Sequence, residues 1–179
     1  MFESNTKVTY DKKGLESLFQ ELKNLASHQV EWGFFEDAVY TSDKNAGTHV
    51  ATIANMQQEG FSKESYGRRV ETPARPFFDD QIRNIQRGRR NPLGARVVKQ
   101  MEYAVWQVVM QEKAPHRALA PLGETLQVTL SQAITDWTYP ENSAWTVDEK
   151  GFNDPLIETG FMRDSVSFQI VKNRIEQNA

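Results

Sequence analysis

Two apolar stripes separated by a four-residue connection constrain this chain more than any other feature of its sequence. Val97, Val98, Met101, Val105, Val108 and Val109 recur at helical spacing over residues 94–113, after the stop-and-start run NPLG. Leu119, Leu122, Leu126, Leu130, Ile134 and Trp137 form the second stripe, in which Pro121 is tolerable only in a first turn. The connection APHR is so short that antiparallel packing is the least costly way to bury both stripes.

The flanking segments supply different periods. Leu15, Leu18, Phe19, Leu22 and Leu25 predict an amphipathic helix that Asp11 can cap. In HQVEWGFFE, Val30, Trp32 and Phe34 alternate with Glu31, Gly33 and Phe35, which predicts a half-buried strand. Residues 49–59 carry Val50, Ile53, Ala54 and Met56 at helical spacing and stop at Gly60, a natural cap. Near the end, Val166, Phe168 and Ile170 alternate with Ser165, Ser167 and Gln169. Residues 60–76 and 138–161 show no sustained period and are expected as extended loops. The fold class predicted is α+β: a small antiparallel sheet, pairing the early and late strands, packed against two or more long helices. A length of 179 residues suits one domain over 1–179.

Composition removes several function classes. There is no cysteine, so disulfides, thiolate metal sites and cysteine nucleophiles are absent. No apolar run approaches the roughly 20 residues that span a bilayer, and the start MFESNTKVTYDKK has no signal-peptide core, so neither membrane insertion nor secretion is expected. His28, His49 and His116 are dispersed and lack the spacing of a helical zinc pair. Nucleotide-binding glycine loops and the GxSxG elbow are missing, and scattered carboxylates define no acid–base pair, so no catalytic residue, metal site or cofactor is assigned.

Charge is distributed unevenly. Residues 68–99 hold nine Lys or Arg against three Asp or Glu, a net +6, whereas residues 136–164 hold seven acids against two bases, a net −5. Arg83, Arg87, Arg89, Arg90 and Arg96 would suit phosphate contacts, a protein interface, or a solvated helix end. Without interleaved aromatics they do not resemble a single-strand platform, and protein contact is the preferred reading. Trp32, Trp106 and Trp137 fall in periodic elements and read as core or subunit packing. Trp145, in a segment expected as a loop, is a candidate anchor for a neighbouring subunit.

Three short motifs occur in order: THVATIANMQQEG, TPARPFF and KGFNDPLIETGFMRDSVSFQIV. Together they resemble the tail-completion and neck proteins of the head–tail joining region of long-tailed bacteriophages. In that family a VAxIA helix ending in an acid and a glycine leads to PARPF, and a later KGxNxPLxxTG run precedes a final strand. The likeness spans about residues 32–171, and Gln58-Glu59 stands here where the family usually has Asn-Glu.

The resemblance implies a non-enzymatic virion protein of the neck or tail, assembled in the host cytoplasm into a homo-oligomeric ring, commonly a hexamer. Its expected partners are tail tube or tail terminator proteins and head connector or adaptor proteins, with a lumen in which non-specific DNA contact can occur. It implies no cofactor. The residues expected at subunit or partner interfaces are Arg75, Phe77, Arg83, Arg87, Arg89, Arg90, Trp145, Glu158, Arg163 and Asp164, with the two prolines of PARPF presenting Arg75 and Phe77 in fixed directions. The alternative is a sequence-independent DNA-binding module using residues 83–96. A hydrolase built from dispersed carboxylates or histidines has no residue set to support it.

Overall fold

The computed structural model describes residues 12–65 and 67–173. The helical hairpin is present, as α4 (Pro92–Gln111) and α5 (Pro115–Thr135). Asn91 caps α4 by accepting from the Leu93 amide at 2.9 Å, and Pro92 supplies the pre-set first residue. The chain leaves α4 through Glu112, a non-glycine residue at φ 52°, and Pro115 restarts it. Because α5 begins at Pro115, Pro121 lies inside the helix and not in its first turn. Its missing N–H deprives the Arg117 carbonyl of a helical donor, tolerable because Arg117 is exposed to water. The helix ends at Thr135, so Trp137 follows it.

Strands β1 (His28–Gly33) and β4 (Ser167–Lys172) pair antiparallel, joining the two alternating segments. The register sets Val30 opposite Ile170 and Trp32 opposite Phe168. Both strands pack on α5, which gives an α+β fold with a small sheet against long helices. Gly123 makes the close approach feasible: a Cβ there would lie 2.1 Å from the Phe168 ring.

Helix α1 (Lys12–Ala26) packs on α4 and the start of β1, and Leu25 joins the core. Its amphipathic stripe is only partly covered, leaving Leu15 exposed and Phe19 56% exposed. Asp11, the expected cap, lies outside the described residues. Helix α2 (Val50–Glu59) starts after His49 and stops at Gly60, where φ is 72°. At Gly60 a side chain would strike the Ala74 amide nitrogen at 2.7 Å.

The expected loops are largely ordered. Residues 61–72 form a hairpin of β2 (Phe61–Ser65) and β3 (Arg68–Thr72), turned with Gly67 at φ 71°. These five-residue strands mix Phe61 and Val70 with charged residues, so alternation is too weak to read without the paired strand. Helix α3 (Phe77–Gln86) follows PARP, with Asp79 and Asp80 placed favourably in its first turn. Within 138–161 lies α6 (Ala144–Lys150), capped by Ser143 and ended by Gly151 in the left-handed region. A short α7 (Phe161–Asp164) leads into β4, entered through Gly160 at φ 83°.

The described residues form two core clusters. Val50, Ala54, Phe77, Leu130, Ile134, Leu156, Met162 and Val166 form the first, and Val97, Ala104, Val108, Ala118, Leu119, Leu122 and Leu126 the second. Trp32 packs against both.

Candidate functional site

The three motifs meet in space. Val50 and Ala54 from α2, Phe77 from PARPF, and Leu156 and Met162 from the closing segment all belong to the first core cluster. Beside this core is an open cleft of about 400 Å³, walled by the β2–β3 hairpin, α6 and residues 155–162. Ile53, Phe61, Leu156 and Phe161 supply apolar lining, while Lys44, Lys63, Glu149 and Lys150 supply charge.

Arg75 ties the motifs together and is only 4% exposed. Its backbone N–H donates to the Gln57 carbonyl at 2.8 Å, and Nη1 donates to Gln57 Oε1 at 2.7 Å. On the other side Nε reaches the Pro140 carbonyl at 3.2 Å, and Nη2 reaches the Glu141 carbonyl and Asn142 Oδ1 at 3.3 and 3.4 Å. No carboxylate pairs with this guanidinium among the described residues, and burial lowers its pKa. A planar five-donor fork suits four neutral acceptors spread over two segments. Arg75 is therefore an internal clamp, not the outward contact expected of it. Phe77 is 1% exposed, in the core for the same reason: the PARP turn aims both side chains inward.

Other cleft groups are tuned by burial. Lys150 donates to the Asp154 carbonyl at 2.7 Å and sits 4.8 Å from the Phe152 ring centroid. Desolvation lowers its pKa, with Glu158 and Asp154 opposing the shift. Desolvation also raises the Tyr40 phenol, reinforced by the Glu158 carboxylate.

The remaining expected contact residues lie at the surface, several already paired. Arg83 bonds Asp80 and Arg89 bonds Glu102. Arg87 donates to Asn84 Oδ1 at 3.4 Å, while Arg90, Arg96 and Lys99 have no ion pair among the described residues. Glu158 pairs with Lys44 at 2.8 Å, and Arg163 with its neighbour Asp164 at 2.7 Å, a bond that holds the Asp164 carboxyl below its ordinary pKa. Trp145 is 71% exposed, in the first turn of α6 and not in a loop. The ten residues thus do not form one site.

Two features escaped the sequence reading. Gln81 is buried and bonds Trp32, and its only sequence signal was a polar residue in an unassigned segment. Tyr103 and Trp106 stack on the surface of α4, centroids 5.7 Å apart at 14°, and their i, i+3 spacing was the available signal.

Among the described residues no group of His, Cys, Asp or Glu is placed to hold a metal ion, and no helix is long and apolar enough to cross a membrane. No protein family, curated protein or solved structure compared with the chain matches it.

Proposed function

We propose that this protein is a structural subunit of a bacteriophage neck, a tail-completion or head–tail joining component that assembles into a ring between tail tube and head connector. The observation that carries this reading is the convergence of the three motif segments on one core, clamped by Arg75. Mutual packing accounts for the residue types in each segment: small and branched residues in α2, an inward Arg and Phe in PARPF, and Leu156 and Met162 on either side of Gly160. Motifs explained by packing mark a scaffold, and a scaffold acts through its surfaces. The surfaces are correspondingly rich in unspent contacts, including Trp145 and the stacked Tyr103–Trp106 pair.

Electron microscopy of the purified protein, alone and mixed with tail tubes or connectors, tests this. Rings are expected. A strict monomer that joins neither partner and is missing from virions overturns the proposal, and salt-sensitive duplex binding without assembly replaces it with the DNA-binding alternative.

A further inference from the structure

We infer that the exposed face of α4 docks onto α6 of a second copy of this chain, a contact that deepens and rests on the ring reading above. Arg96, Lys99, Tyr103, Trp106 and Met110 follow i, i+3, i+7, i+10, i+14 spacing on one side of α4, facing away from the buried Val97, Ala104 and Val108. Tyr103 and Trp106 are each 46% exposed and Met110 68%. A solvated helix normally turns charged or polar residues outward, so an outward aromatic and methionine stripe is an unpartnered interface. The stack between the two rings fixes their orientation before any partner arrives, which lowers the ordering cost of docking.

The charges select the occupant. At the N-terminal end of the stripe, Arg96 and Lys99 lack ion-pair partners among the described residues, and Arg90 beside the helix start lacks one too. On α6, Trp145, Asp148 and Glu149 share a face at i, i+3, i+4 spacing, all exposed, and neither acid is ion-paired among the described residues. Each patch joins aromatic surface to uncompensated charge, with opposite signs. The α4 stripe covers the second core whereas α6 walls the cleft beside the first, and no α4 residue lines that cleft. Two different complementary patches on one chain give a heterologous contact that repeats from copy to copy. Nucleic acid is the poorer occupant: Glu102 neutralises Arg89 at this surface, and Tyr103, Trp106 and Met110 offer apolar area that phosphate cannot use.

A charge swap tests the contact. One variant carries Arg96→Glu and Lys99→Glu, the other Asp148→Lys and Glu149→Lys; all four side chains are exposed, and circular dichroism checks the fold. Light scattering should show each variant associating about tenfold or more weakly than the wild type, and an equimolar mixture restoring association in alternating copies. Because the chain has no cysteine, a Trp106→Cys copy and a Trp145→Cys copy should form a disulfide heterodimer when mixed and oxidised. If the wild type is monomeric at every concentration, the ring reading itself falls. If it assembles and neither variant changes assembly, the ring stands and this contact is wrong. Loss of duplex DNA binding in the Arg96→Glu and Lys99→Glu variant with assembly intact overturns it in favour of nucleic acid.

Discussion

The indole N–H of Trp32, a residue that packs against both cores, donates to Oε1 of Gln81 at 2.9 Å and so joins β1 to α3. The Gln81 amide nitrogen donates onward to the Leu126 carbonyl at 3.1 Å and to Thr129 Oγ1 at 2.8 Å. One buried side chain therefore holds strand, helix and helical hairpin in register.

Replacing Gln81 with Leu leaves the Trp32 donor without its acceptor in a partly buried site, at a cost of about 2 kcal/mol. Urea denaturation should show that loss, and a Trp32→Phe, Gln81→Leu double variant should lose less than the two single variants summed. Simple additivity would mean that the bond does not couple the elements.

Gly123→Ala forces a methyl group into the Phe168 ring, since the site allows only 2.1 Å. The expected cost is about 2 kcal/mol or more, from displacing β4 against α5. Phe168→Leu in the same background should recover part of it. A Gly123→Ala protein as stable as the wild type would show that the sheet does not sit on the helix as described.

Arg75→Met removes the bonds that hold residues 140–142 to α2. Stability should fall by about 2–4 kcal/mol, because charge-assisted bonds to several acceptors are lost together. Hydrogen exchange should rise in residues 139–150 before it rises in α4 or α5. Arg75→Lys should not rescue the protein, since a point ammonium cannot span both groups of acceptors.

Tyr40 gives a pH signature. Its folded pKa is raised above the ordinary tyrosine value of about 10, by burial first and Glu158 second. A raised folded pKa means that the native state binds more protons across the window, so its contribution is complete below about pH 10 and is lost as pH climbs through the folded value. Denaturation between about pH 8 and 11 should show a steeper alkaline loss for the wild type than for Tyr40→Phe. Lys150, shifted down mainly by desolvation, changes stability in the opposite sense and is common to both proteins. Identical slopes would remove Tyr40 as the cause.

Local periodicity carried a good share of this fold. The α4–α5 hairpin, α2 with its stop at Gly60, and the two alternating segments that pair as β1 and β4 are all readable, because each repeats an apolar spacing within its own stretch. The β2–β3 hairpin was not, because Lys63, Glu64 and Arg69 obscure its alternation and the stabilising partner lies across the turn. Helix α3 had weak signals in Asp79, Asp80 and the spacing of Phe78, Ile82 and Ile85, masked by the arginines after it.

The candidate surfaces divide along the same line. From the sequence alone came the inventory: which motifs occur in order, where positive and negative charge concentrate, and that Trp145 is a candidate contact. Whether a charge faces water depends on acceptors far away in sequence, so only the tertiary structure could turn Arg75 inward toward Gln57 and Pro140. The same holds for the α4 stripe. Spacing puts Tyr103 and Trp106 on one helix face, but their exposure was decided when α1, α3 and α5 packed against other sides of α4 and left that face uncovered. Short-range pattern specifies an element and its faces, whereas burial is a property of everything that packs around it.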